Sequence, residues 1–530
     1  MLRILVAHSY FLKLDPKQLE RAKPYPPLAT LQAAALLRNA GHRVQFFDAM
    51  LADPADFPGR LCATRPRVLV LYEDNYNFLT KMCLAEMRNA ACEMIREARR
   101  RGARVIVAGS DATDDAEPYL KAGADLVLLG EGLLALQRVV ARLDEQPHLP
   151  PAELAQGVPG VTTLDQPAPS RPPNGASHAG TQHSGGQQAG QHTGQRAGAP
   201  HDGAPRGRPS RAGASRPVDP EPTIEQPALA AWDLVDVERY RAVWRRVHGC
   251  FSLNMAASRG CSFRCAWCAK PIWGSRYLQR PAADVAAELV HLKRSFAPDH
   301  VWFADDIFGF KVDWVLEFAE TLRAADAIVP FTIQTRADLV SPRMAAALRA
   351  AGCREAWIGA ESGSQRILDA MRKGVDVAEI ASARARLRAE GIRVGFFIQL
   401  GYLGEQLPDL LATRELIETT GPDEVGVSVA YPLPGTPFYE QVKNGLGAKT
   451  HWRDSGDLAM MFHGTYTSEF YRAVRDLLHT EIDVQKLGVA GSAPSYRQAR
   501  IELDRRWDTL IGREREFRND SGLLGRTVPA

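Results

Sequence analysis

Residues 1 to 150 alternate short all-apolar runs with longer amphipathic ones. "RILVAH" (3–8), "RVQFFD" (43–48), "RVLVLY" (67–72), "RVIVAG" (104–109) and "DLVLLG" (125–130) read as strands buried on both faces. Runs such as "ATLQAAALLRNAG" and "LAEMRNAACEMIREARRRG" between them read as helices, the first closing at Gly41. Buried strands separated by helices predict a parallel, doubly wound, Rossmann-like α/β sheet. Such sheets bind ligands beyond the carboxyl ends of their strands. Those ends read "HSYF", "EDNYNF", "GSDATD" and "GEG".

The alternation returns between 250 and 430. "FSLNMAAS" (251–258), "HVWFAD" (300–305), "PFTIQT" (330–335), "EAWIGA" (355–360), "VGFFIQL" (394–400) and "EVGVSVA" (424–430) read as strands, with helices such as 341–352 and 405–419 between them. Repeated β/α units of this kind predict a partial (β/α)6 barrel over 227–440, with its active site at the carboxyl ends of the strands. Residues 441–530 hold Trp452, "MMFHGTYTSEFY" and Arg-rich helical stretches, and predict a C-terminal helical extension.

Between the two units the pattern vanishes. From Gln166 to Pro222 the only residue among Val, Ile, Leu, Met, Phe, Trp and Tyr is Val218. Such a segment cannot bury enough apolar surface to offset the entropy of ordering, so 151–226 is expected to be a disordered linker. His178, His183, His192 and His201 are irregularly spaced, which favours a plain linker over a metal site. Replacing 166–222 by a short Gly/Ser stretch should leave the yield of soluble protein unchanged; a large loss would make the segment structural.

A chain of 530 residues is too long for one core, and 45% hydrophobic with 24% charged residues is ordinary for a globular protein. The formal net charge of +3, from 65 basic and 62 acidic residues, gives no support to nucleic acid or an anionic membrane as a partner. No apolar run is long enough to span a bilayer, and "MLRILVAHSYFLKLD" has no cleavage pattern behind it, so a cytoplasmic protein is expected. Eight cysteines spread over this length form no disulfide framework. Cys62, Cys83, Cys92 and Cys353 lie in apolar contexts and read as buried structural thiols.

"GCSFRCAWCAKPIWG" (260–274) is different: Cys261, Cys265 and Cys268 stand in a C-x3-C-x2-C spacing directly after the first barrel strand. Structural zinc takes four protein ligands, and the nearest fourth would be Cys250 or His248. A C-x2-C redox pair leaves Cys261 idle. A [4Fe–4S] cubane takes four cysteines when fully ligated, so three on one loop would leave one iron open to chemistry.

This spacing, with aromatic Trp267 before the third cysteine, resembles the signature of the radical S-adenosylmethionine (SAM) superfamily. Later motifs follow in the family's order. "FADDIF" (303–308) carries Asp305 and Asp306 after the second strand, where the family contacts the methionine end of SAM. "GAESGSQRILDAMRKG" (359–374) places Glu361 and Ser362 at a usual ribose and carboxylate contact after the fourth. "LGYLGE" (400–405), with Gly401 and Glu405, follows the fifth, and "YPLPGTPFYE" (431–440) the sixth. The resemblance implies a [4Fe–4S] cluster on Cys261, Cys265 and Cys268 that binds and reductively cleaves SAM to a 5′-deoxyadenosyl radical. It also implies a small-molecule substrate and a reductant such as flavodoxin or ferredoxin. Asp305 and Asp306 can also be read as a metal pair or a helix cap. Arg336, after the third strand, reads as an anion contact to substrate or SAM, or as an exposed arginine.

A doubly wound unit ahead of such a barrel resembles the cobalamin-binding subfamily. "PYPPLATLQAAALLRNAGHRVQFFDA" (24–49) is close to that subfamily's opening. "GSDAT" (109–113), with Gly109 and Ser110, and "GEG" (Gly130, Glu131, Gly132) match the loops that face the nucleotide tail. There is no D-x-H-x-x-G, and His8 reads as a strand-end histidine, so cobalt would lack a histidine from this chain. A degenerate or substrate-binding Rossmann-like domain is the other reading of this unit. Three functions are expected in order: a cobalamin-dependent methyltransferase acting on an unactivated carbon or phosphorus; a cyclase, oxidase or rearrangement enzyme like the anaerobic porphyrin ring cyclase; and an iron–sulfur redox sensor or electron carrier. The last has no need of the SAM motifs after strands two, four and five.

Overall fold

A computed structural model describes residues 1–76, 85–165, 229–268, 272–446, 458–489 and 493–519. The low-complexity segment 166–222, Cys83 and Trp452 lie outside the described residues.

Strands β1 (Arg3–Ala7), β2 (Arg43–Phe47), β3 (Val68–Tyr72), β4 (Arg104–Ala108) and β5 (Leu126–Leu128) form a parallel sheet in the order 2-1-3-4-5. Ile4 and Val6 enter one hydrophobic core, while Leu5 and Ala7 enter the core on the opposite face. This two-sided burial is why the strands show no polar alternation. Strand order reverses between β1 and β3, which opens a crevice beyond their carboxyl ends.

The expected linker begins too early. Residues 151–165 complete this unit with a helix, Pro151–Ala155, and a short strand β6 (Val161–Thr162) antiparallel to β5. Leu154 and Val158 are buried there, so this stretch has the apolar anchors that the segment after it lacks.

In the second sheet, β7 (Ser252–Met255), β10 (His300–Phe303), β11 (Phe331–Thr335), β12 (Cys353–Glu361), β13 (Arg393–Leu400) and β14 (Glu424–Val429) pair in parallel in sequential order, an open six-stranded barrel. The run read as one strand over 251–258 is two. After β7 the chain breaks, and β8 (Ser258–Gly260) pairs antiparallel with β9 (Tyr277–Gln279). The break is held by Asp305, whose carboxylate accepts the Ala257 N–H at 3.0 Å and the Ser258 hydroxyl at 2.5 Å.

One core cluster runs from the first sheet into the barrel without a gap. The Pro-rich stretch before the first long helix is the seam. Tyr25 packs between Trp244 and Trp302, with ring centroids 5.2 and 5.1 Å away. The Trp244 indole donates to the Pro24 carbonyl at 2.7 Å, and the Asn254 amide to Pro26 at 3.0 Å. The tail is helical as expected, with helices Ser468–Val489 and Ala493–Gly512. Buried Glu481 ties them to the barrel by ion pairs with Arg414 and Arg500, both at 2.7 Å. Among the described residues no helix is long and apolar enough to cross a membrane.

Candidate active site

Cys261, Cys265 and Cys268 lie half-buried on the loop after β8. Gly260 sets the entry of that loop: its φ is +74°, and a Cβ would collide with the Arg276 carbonyl on the facing strand. The loop is then pinned by its backbone. The Ala266 N–H donates to Met371 O at 2.8 Å, and the Ala266 carbonyl accepts the Phe438 N–H at 3.0 Å. Main chain from the loops after β12 and β14 thus holds the middle of the cysteine motif.

Among the described residues no group of three or more His, Cys, Asp and Glu side chains could hold a single metal ion. A cubane spreads its thiolates over separate irons, so the three-thiol loop fits a cluster better than zinc. The nearest candidates for a fourth zinc ligand are also misplaced. Cys250 and His248 precede β7 and lie at the amino end of the barrel, and His248 Nε2 sits 3.0 Å from the Ala22 carbonyl. Among the thiols read as structural, Cys92 and Cys353 are buried, but Cys62 is exposed. It sits near the end of the amphipathic helix Asp56–Thr64, on the face turned from the core.

The barrel's SAM-motif residues are mostly engaged by the protein itself. Asp305 is turned inward on Ala257 and Ser258 as described, and burial raises its pKa to about 7. Asp306 beside it is exposed. Glu361, with φ at +60°, forms a buried ion pair with Lys373 at 2.6 Å. The Ser362 hydroxyl accepts the Ser364 N–H at 3.1 Å and meets the Thr413 hydroxyl at 3.3 Å, so it shapes the loop after β12. Gly401 donates its N–H to Glu405 Oε2 at 2.6 Å. Several buried polar atoms near the carboxyl ends of these strands have no partner: Asn254 Oδ1, Gln399 Oε1, Glu405 Oε1 and the Trp267 indole N–H. A polar cosubstrate would satisfy such atoms, so the residues fit SAM.

Glu405 gives a test of this interior. It is fully buried, and desolvation raises its pKa from 4.5 to about 8. Folding therefore favours the protonated acid. Its contribution is intact below the ordinary carboxylate range and is lost as pH rises toward 8. Glu405→Gln should gain on the wild type by on the order of 3 kcal/mol between pH 5.5 and 8.5. Urea midpoints at the two pH values measure this; parallel curves would show that Glu405 ionises freely.

The carboxyl edge of the first sheet meets this mouth. Glu131 of the GEG loop forms a buried ion pair with Arg259, two residues before Cys261. The Arg259 guanidinium lies 5.1 Å from the Trp273 ring centroid, and Trp273 packs against Tyr76 from the loop after β3. Gly130 has φ +73°, and a Cβ added there would lie 3.3 Å from the Ile272 carbonyl of the cysteine-bearing loop. Gly132 precedes the helix Leu133–Glu145, where a Cβ would press on Leu128. Gly109 makes room for the Glu73 side chain, and Ser110 behind it is buried. The GEG loop thus touches the barrel directly, through the pairing of Glu131 with Arg259.

The sequence did not single out Asn75, at the β1/β3 crevice. It is 2% exposed, and both polar atoms of its amide lack a partner. A ligand rimmed with amides, as a corrin is, would satisfy both. His8 is buried at the same edge with its Nε2 accepting the Ala49 N–H at 3.1 Å, so that nitrogen is committed to the fold.

An open parallel barrel with three thiols at its carboxyl mouth thus abuts the carboxyl edge of a doubly wound sheet. Residues 255–417 match the Radical SAM superfamily model, so the chain carries a radical SAM domain. It is 25% identical over 247 residues to the uncharacterized methyltransferase PH0819 of Pyrococcus horikoshii, covering 46% of this chain and 52% of that protein. It is 29% identical over 204 residues to the tRNA-2-methylthio-N(6)-dimethylallyladenosine synthase of Stutzerimonas stutzeri, covering 35% and 44%. The chain thus spans about half the length of the curated relatives it matches. Two solved structures share the fold. The radical SAM methyltransferase TsrM of Kitasatospora setae, with cobalamin and a [4Fe–4S] cluster bound, has a TM-score of 0.62 at 19% identity over 85% of this chain and 76% of that one. The cobalamin-dependent SAM radical enzyme OxsB, with aqua-cobalamin and SAM bound, has a TM-score of 0.63 at 15% identity over 96% and 71%.

Proposed function

We propose that the chain is a cobalamin-dependent radical SAM methyltransferase acting on an unactivated carbon or phosphorus of a small molecule. The observation that carries this reading is the abutment of two ligand-binding edges: the GEG loop and the loop after β3 meet Arg259 and Trp273, which flank the three cysteines. When bound, the cluster supplies the electron that cleaves SAM, and cobalamin supplies the methyl carrier. Cys261, Cys265 and Cys268 hold the cluster, the partnerless polar atoms at the strand ends orient SAM, and Asn75 meets the corrin rim. Tyr76 packed on Trp273 excludes water between the two sites. Asp305, Glu361 and Ser362 position the loops that carry these groups.

Protein reconstituted anaerobically with iron, sulfide and hydroxocobalamin should retain cobalamin in a base-off form without histidine-nitrogen coupling in its electron paramagnetic resonance (EPR) spectrum. Incubation with SAM, reductant and the correct substrate should release both S-adenosylhomocysteine and 5′-deoxyadenosine. A full cluster with no cobalamin uptake would overturn the reading. The second reading is a cyclisation, oxidation or rearrangement on the same cofactors. It predicts 5′-deoxyadenosine without S-adenosylhomocysteine.

A further inference from the structure

Arg336 follows β11 and was expected either to bind an anion or to lie in solvent. It does neither. The residue is 4% exposed, and its guanidinium lies flat over Phe263 with its carbon 3.6 Å from the ring centroid. Nε and Nη2 grip the two carboxylate oxygens of Asp338 at 2.9 and 3.1 Å, and Nη2 also donates to the Lys373 carbonyl at 2.8 Å. The remaining nitrogen, Nη1, donates toward Cys265 Sγ at 3.8 Å.

We propose that Arg336 is a positioning residue that sets the redox poise of the cluster on Cys261, Cys265 and Cys268, and that Asp338 limits its effect. The proposal rests on the cluster assignment above. An electron added to an iron–sulfur cluster spreads onto its thiolate sulfurs. Hydrogen bonds to those sulfurs and nearby net charge are the protein's means of shifting the potential. A planar guanidinium clamped on three sides cannot turn away from Cys265, and its partial burial keeps water from screening it. The donor therefore favours the reduced cluster. Asp338 opposes this by neutralising much of the cation's charge.

The pair makes a test with opposite signs. Wild type, Arg336→Gln, Arg336→Lys and Asp338→Asn are reconstituted anaerobically without SAM, iron is counted, and the reduced-cluster EPR signal is titrated against potential. Arg336→Gln should lower the ratio of reduced to oxidised cluster at fixed potential about tenfold, a shift of about 59 mV for one electron. Asp338→Asn should raise that ratio, and Arg336→Lys should fall between wild type and Gln. A purely structural role would shift both in the same direction or lose iron from both, and either result overturns the proposal, as do unchanged potentials. If Arg336→Gln cannot hold a cluster, Asp338→Asn still decides by its sign. A wild type that loads no iron removes the cluster reading itself, and the iron count tells that failure apart from an unmoved potential.

Discussion

Replacing Cys261, Cys265 and Cys268 together by Ala should take the iron bound after anaerobic reconstitution from about four per chain to near zero. The fold should survive the change. The thiols are half-buried, not core, and the loop is fixed by main-chain bonds from Ala266 to Met371 and Phe438 that no cysteine side chain makes. The β8–β9 pairing before it depends on Gly260 and Asp305. The variant should therefore match the wild type in far-UV circular dichroism and elution volume while losing its cluster absorbance. Iron and sulfide analysis measures the effect. A folded triple variant that still holds a cluster would place the ligands elsewhere and sink the assignment. Loss of both fold and cluster would show that the cluster contributes to folding.

The strands were legible because burial leaves a local mark. Four consecutive interior residues in β1 cannot be polar when both faces are covered, and the same holds for all five residues of β3. The cysteine loop was legible because a ligand set needs its residue types at fixed spacing. Long-range capture of a side chain was not. "FSLNMAAS" reads as one strand until Asp305, nearly fifty residues on, takes the Ala257 N–H out of the ladder. Glu361 and Lys373 are separate entries in a motif until the turn after β12 folds one onto the other. Arg336 carries no local sign that it will end beside Cys265. Asn75 could have been suspected from its place after the third strand, since order reversal at β1/β3 puts the crevice there. That order becomes visible only once the strands are paired.

The ion pair between Arg259 and Glu131 joins the two units at the point where their chemistry must meet, and breaking it should be costly. Both side chains are buried, 3% and 9% exposed. Removing one partner of a buried ion pair costs about 3–5 kcal/mol. Arg259→Ala removes the guanidinium that pairs with Glu131, and Glu131→Ala removes the carboxylate that pairs with Arg259 beside Trp273. Each should lower the free energy of unfolding by that amount. Removing both charges with side chains of similar reach, Arg259→Met with Glu131→Met, should recover most of the loss, because neither charge is then unpaired. The double variant should retain its iron, since Gly260 and the backbone bonds of Ala266 are untouched. Its cobalamin retention should fall if the pair also holds the GEG loop in register with the cysteine loop, as the contact of Gly130 with Ile272 suggests. Urea titrations of the three variants and the wild type at one pH give the coupling energy directly. A single variant within 0.5 kcal/mol of the wild type would mean that solvent reaches this seam, and the two edges would then be neighbours without being coupled.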